Sequence, residues 1–257
     1  MADYLNSGFG MPSHIHPVDL TLSIVSHGQG RLIENLLKDL QRSDLKRFEI
    51  ILTLNVPESE DFLQPFQDLP IVLVRNDAPK GFGSNHNAAF ARSTGARFAI
   101  VNPDIRANPL DVQPLLEMLK VAHVGACGPM VLAPHGDIED SARRFPTPAH
   151  LFRRIVTGRR APDYDFGPDS APVRVDWLAG MFVIFPREAF AAVDGFDERF
   201  FMYMEDADIC RRLTRAGWTC WLVPAAAVVH NAQRASQRDL RHLCWHLTSA
   251  FRYFTGF

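Results

Sequence analysis

The sequence predicts an α/β fold: a mostly parallel, doubly wound central sheet flanked by helices. Two observations carry this. Short β-rich runs alternate with stretches whose apolar residues recur at helical spacing. Those runs end repeatedly on polar turn residues, where open sheets of this kind hold ligands.

The elements follow in order. Residues 1–17 carry Gly, Pro, Ser and His and read as a flexible arm. Leu20, Leu22, Ile24 and Val25 form a strand that stops at Ser26–His27–Gly28. From Arg31 to Leu40, the residues Leu32, Ile33, Leu36, Leu37 and Leu40 line one face of a helix. Strands from Phe48 to Leu54 and from Ile71 to Val74 end at Asn55 and at Arg75–Asn76. Ser84 to Arg92 reads as a helix, Phe98 to Val101 as a strand ending at Asn102–Pro103–Asp104, and Pro109 to Val121 as a helix. The second half is less regular. Residues 134–172 are rich in Pro, Gly and Arg and form a long irregular segment. Strands return at Val173–Val175 and Met181–Phe185. A helix from Glu205 to Ala216 is stopped by Gly217. Trp218–Val223 and Ala227–Val229 read as strands, and 238–254 as a final helix.

Bulk properties narrow the class. Hydrophobic content of 47% and charged content of 22% are those of an ordinary globular chain, and a net charge of -2 gives no reason to bind nucleic acid. Cys127, Cys210, Cys220 and Cys244 are scattered and form no CxxC pair, so they read as thiols in a reducing compartment. The longest apolar run, Trp177 to Phe185, is about half of a membrane span. The N-terminus lacks a basic-then-apolar leader. The expected location is cytoplasmic, with peripheral contact at the inner face of the membrane. Arginines at 143, 144, 153, 154, 159 and 160 and in the last helix either meet anionic headgroups or form a solvated face.

Several groups can carry chemistry. Asp104, at the mouth of the sheet, can hold Mg²⁺ or Mn²⁺ on two phosphate oxygens; Asn-Pro-Asp is equally a turn. Glu205, Asp206 and Asp208 crowd a helix start directly after Phe200–Phe201–Met202–Tyr203–Met204. Capping explains one or two of these acids. A base beside an apolar wall, able to take a proton from a sugar hydroxyl, explains the cluster as well. His230 ends a strand-like run and suits a metal or phosphate ligand or a structural role. Gly81–Phe82–Gly83–Ser84–Asn85–His86–Asn87 opens a helix whose amides suit an anion, but it is neither GxGxxG nor a P-loop. His242 and His246 lack the intervening Glu of a zincin.

Taken together, the blocks Gly81–Asn87, Val101–Asp104, Asp176–Trp177–Leu178–Ala179–Gly180, Asp194–Phe201 and Glu205–Asp208 resemble family-2 inverting glycosyltransferases with the type-A nucleotide-sugar fold, most closely the bacterial rhamnosyltransferase-like members. The resemblance covers Leu20 to His230. It implies one glycosyltransferase domain over 18–257, with a nucleotide-sugar half (18–125), an acceptor and catalytic half (126–237) and a terminal amphipathic helix (238–257). It implies Asp206 as general base with Glu205 as its partner, Asp104 and His230 as metal ligands, and Trp177 and Gly180 along the donor and acceptor pocket. Ser26, Asn55, Asn76, Gly83, Asn87 and Asn102 complete the expected donor site. The family's first metal-site acid is Asn102 here, and no Asp follows the second strand to read the base. The implied reaction moves rhamnose from dTDP-rhamnose, or another sugar from a dTDP- or UDP-sugar, to a glycan or lipid-linked acceptor in bacterial surface polysaccharide synthesis. A non-catalytic nucleotide-sugar binder and a sugar nucleotidyltransferase are the alternatives.

Overall fold

The computed structural model describes residues 18–107, 109–147, 162–231 and 240–256. The N-terminal arm, Phe152 and the arginines at 153, 154, 159, 160 and 238 lie outside them.

Strand β1 (Leu20–Ser26) is buried along its whole length, as a central strand covered on both faces must be. It pairs in parallel with β2 (Phe48–Leu54) on one side and β4 (Arg97–Val101) on the other. β3 (Ile71–Arg75) adds to β2, again in parallel. Helix α1 (Gly30–Gln41) covers one face with Leu32, Ile33, Leu36, Leu37 and Leu40. α2 (Phe82–Phe90) begins two residues earlier than its apolar pattern suggested, at a Gly81 N-cap.

Beyond β4 come β10 (Phe182–Pro186), β6 (Val124–Leu132), β11 (Thr219–His230) and β5 (Ile105–Arg106), while β8 (Val173–Val175) also pairs with β11. β10 runs antiparallel to both β4 and β6, and β11 runs parallel to β6. The result is a mixed, mostly parallel sheet. A separate two-stranded ribbon joins β7 (Ala142–Arg143) to β9 (Trp177–Leu178). It stands where the sequence reads as irregular.

Two expectations are corrected, and two elements appear for which the sequence reading had no counterpart. The helix expected over 109–121 is α3, Gln113–Met118 only, starting beside Pro114. β6 has no counterpart in the sequence reading. Gly125, Gly128 and Pro129 break its alternation, yet a Cβ on Gly125 would lie 2.5 Å from Trp218 and one on Gly128 3.0 Å from the Phe182 carbonyl oxygen. Close neighbours require those glycines. The two strands expected at 218–223 and 227–229 are one strand, with a register shift between Val223 and Ala227. Finally, α4 (Arg187–Ala192) follows β10 directly from its Pro186 N-cap.

α5 (Glu205–Arg215) and α6 (Leu240–Thr255) complete the described elements. Tyr253 of α6 belongs to the same buried cluster as Phe196, Phe200 and Ile209.

Candidate active site

A cleft of about 350 Å³ opens at the rim of the sheet. Asn102 and Asp104 from the β4 end, Gly180 from the β9–β10 turn, and Glu205 and Asp206 from the start of α5 all line it. So do His27, His86, Arg143 and Tyr203, which the sequence reading did not place there.

Asp206 sits in the first turn of α5. Its Oδ2 accepts the N–H of Gly180 at 3.0 Å, and its Oδ1 accepts the N–H of Ala207 at 2.8 Å. Burial raises its pKa above the ordinary aspartate value. The Arg143 charge and the Gly180 and Ala207 N–H groups restrain that rise. Glu205 is 6% exposed, and its Oε2 has no hydrogen-bond partner among the described residues. Burial first, then the neighbouring Asp206 charge, pushes its pKa well up. Both carboxyl groups are thus held above their ordinary values, Glu205 the more strongly, while Asp206 alone keeps two backbone N–H bonds that favour its charged form.

The approach to α5 is strained. Tyr203 and Met204 both have positive φ, 72° and 68°, a conformation costing roughly 1–2 kcal/mol per non-glycine residue. Surrounding contacts hold it. The Tyr203 hydroxyl bonds to His242 Nδ1 at 2.6 Å, and its ring stacks on His246 at 3.5 Å. Ser249 donates to the Met202 carbonyl at 2.8 Å, and the Phe82 N–H donates to the Phe201 carbonyl at 2.9 Å. His242 and His246, ordinary helix residues in the sequence reading, thus clamp the segment that delivers Asp206.

Asp104 lines the same cleft. Antiparallel pairing of Ile105 with His230 brings the end of β11 beside it. His230 Nε2 is 3.2 Å from Asp104 Oδ2, and His230 Nδ1 is 2.7 Å from Glu139 Oε2. Burial alone would lower the His230 pKa, but the bonds and charges of Asp104 and Glu139 outweigh it and raise it. Asp104 Oδ1 is buried without a hydrogen-bond partner among the described residues. An orphaned carboxylate oxygen beside an imidazole fits a hard divalent ion that takes its remaining ligands from phosphate and water. Among the described residues no group of three or more His, Cys, Asp or Glu side chains could hold a metal unaided.

The other expected donor residues lie behind the cleft wall. Ser26 Oγ accepts the Gln29 N–H at 3.1 Å, across the turn into α1. Asn76 Nδ2 donates to Asn55 Oδ1 and Asn85 Oδ1, both at 2.7 Å. Asn55 also holds Lys80 through both backbone groups. These amides fasten the loop ahead of Gly81. Gly83 packs against Phe196, and Asn87 bonds to Phe196 and Glu198. Trp177 is 7% exposed and lies beneath the Arg143 guanidinium, 4.8 Å from its ring centre. His86 is fully buried, bonded through Nδ1 to Ser23 Oγ at 2.8 Å, and burial drops its pKa to about 3. It is a neutral imidazole in the cleft floor. Its place within Gly81–Asn87 was the available signal for it.

Fold and cleft together define a glycosyltransferase of the type-A fold. Residues 21–182 match the profile described as Glycosyl transferase family 2, and the chain belongs to that family. It is 30% identical over 248 residues to the rhamnosyltransferase WbbL of Escherichia coli strain K12, covering 90% of each chain. It is 29% identical over 256 residues to the N-acetylglucosaminyl-diphospho-decaprenol L-rhamnosyltransferase of Mycobacterium tuberculosis strain H37Rv, covering 90% of this chain and 82% of that one. The crystal structure of GalNAc-T7 with UDP, GalNAc and Mn²⁺ shares the fold, with a TM-score of 0.66 and 15% identity; the match takes in 86% of this chain and 45% of that one. The chain is thus a glycosyltransferase, and the nucleotidyltransferase alternative is set aside. Among the described residues no helix is long and apolar enough to cross a membrane.

Proposed function

We propose that this enzyme transfers rhamnose from dTDP-rhamnose, with inversion, to a hydroxyl of a diphospholipid-linked sugar during assembly of a bacterial surface polysaccharide. The supporting observation is that Asp104, from the end of β4, and Asp206, from the start of α5, line one cleft. The rhamnosyltransferase relatives supply the sugar, and the mycobacterial relative's name supplies the class of acceptor.

In this reading the donor diphosphate lies toward Asp104 and the acceptor hydroxyl toward Asp206. The hydroxyl oxygen attacks the anomeric carbon as its proton passes to Asp206 Oδ2 or Oδ1. The bond from that carbon to the diphosphate oxygen breaks, and the nucleoside diphosphate leaves. Asp104 and His230 would hold Mg²⁺ or Mn²⁺, which supplies positive charge to the departing diphosphate. Arg143 adds a fixed positive charge at the cleft wall and restrains the basicity of Asp206. With its proton retained, as its raised pKa favours, Glu205 would let Asp206 carry its charge without a second carboxylate beside it.

The test is a donor panel. The enzyme is given dTDP-rhamnose, UDP-N-acetylglucosamine or GDP-mannose with an N-acetylglucosaminyl-diphospho-polyprenol and Mg²⁺ or Mn²⁺. Release of dTDP with a rhamnosylated lipid is expected. Turnover confined to another donor overturns the assignment of the sugar.

A further inference from the structure

The outer face of α6 has no role in the cleft chemistry. Leu243, Leu247, Phe251 and Phe254 recur at helical spacing and are 55%, 63%, 62% and 37% exposed. Phe201, 39% exposed, packs 4.9 Å from the Trp245 ring of the same helix. Single exposed apolar residues are ordinary, whereas an aligned row of large ones marks an interaction surface. The inner face of the same helix grips the cleft wall through Tyr203 and Met202.

We propose that this face rests on an anionic lipid surface, with its leucines and phenylalanines in the headgroup region. Charge selects that occupant. From Leu240 to Thr255 the sequence has two arginines and no aspartate or glutamate. A basic amphipathic helix is attracted to anionic lipid. A two-fold pair of such helices would instead bring like charges together. The inference deepens the proposed function and rests on its lipid-linked acceptor. A helix lying in the surface and bonded to the 201–204 segment would bring the acceptor side of the cleft to the membrane that carries the acceptor.

The test is flotation of the full-length enzyme with vesicles of phosphatidylcholine plus phosphatidylglycerol, and with phosphatidylcholine alone. The wild type is expected to float with the anionic vesicles and much less with the neutral ones. Leu247→Glu and Phe251→Glu are each expected to weaken flotation by more than about tenfold, since burying one such side chain accounts for at least that factor. Both variants should keep the wild-type melting temperature and full transfer to a water-soluble, short-chain acceptor. A wild type that fails to float, or variants that float equally well, overturns the proposal. So does a wild-type dimer that Leu247→Glu splits into monomers, because the face would then join two copies of the chain. The two readings fail separately. Transfer to the soluble acceptor without flotation removes the docking surface alone, and flotation without transfer of rhamnose removes the reaction alone.

Discussion

The carboxylate of Asp206 accepts the backbone N–H of Gly180 at 3.0 Å. This bond ties the first turn of α5 to the turn between β9 and β10, and so sets the direction in which the carboxylate faces. A Cβ on Gly180 would lie 3.6 Å from the Asp206 Cβ and 3.2 Å from the Phe82 ring. A side chain at 180 would therefore press on the Phe82 ring and sit in contact with Asp206. In the proposed reaction, a carboxylate held through both oxygens by backbone N–H groups would need little reorganisation to take a proton.

The proton on Glu205 makes a stability prediction. Its folded pKa is raised above the ordinary 4.5, so the native state binds that proton more tightly than the unfolded chain. The wild type must therefore lose stability from this group as pH rises above about 4.5. Glu205→Gln removes the penalty. Its melting temperature should exceed that of the wild type near neutral pH, with the gain shrinking as pH falls toward about 4.5 and gone below it. Calorimetry across that range is the check, and a difference independent of pH would contradict the assignment.

Arg143 makes a kinetic prediction. Its charge lowers the Asp206 pKa against the larger effect of burial. In Arg143→Gln the acid limb of kcat/KM should move to higher pH, because the base then takes up its proton more readily. A pH–rate profile with an unmoved acid limb would place Arg143 outside the influence assigned to it.

Gly81→Ala tests the clamp on the strained segment. The added Cβ would meet the Phe201 carbonyl oxygen at 2.6 Å and the Phe201 Cα at 2.9 Å. Both are backbone atoms, so the 200–204 segment must shift. Overpacking of this kind costs roughly 1–3 kcal/mol. The expected result is a lower melting temperature together with a fall in kcat larger than any loss of donor affinity.

Glu139→Ala tests how His230 is held. The bond from Glu139 to Nδ1 turns Nε2 toward Asp104. Loss of such a supporting carboxylate typically weakens metal binding by about 10–100-fold. Titration with Mn²⁺, followed by the electron paramagnetic resonance of the free ion, should show that loss. Unchanged affinity would mean that the ring does not serve the metal through this orientation.

The sequence made the amino-terminal half of the sheet legible because β1, β2 and β4 are short runs rich in large apolar residues between polar turns. β6 was hidden, since its two glycines and a proline answer to close neighbours and not to strand propensity. The site was legible in parts. Asp104, Gly180, Glu205 and Asp206 stand out through their blocks and do share the cleft. The approach of His230 to Asp104 depends on the pairing of β5 with β11, which no local pattern encodes. Arg143 reads as one basic residue among many until the β7–β9 ribbon sets it over Trp177. The asparagines at 55 and 76 were correctly read as polar strand ends, but only the fold reveals that they bond to each other.

The most direct test of the account is single-turnover transfer by Asp206→Asn, measured alongside binding of dTDP-rhamnose to the same variant. Donor affinity should persist within a fewfold while transfer falls by about 10²–10⁴-fold, the range that general-base catalysis supplies. Transfer at the wild-type rate, with the donor bound normally, would show that Asp206 does not take the proton.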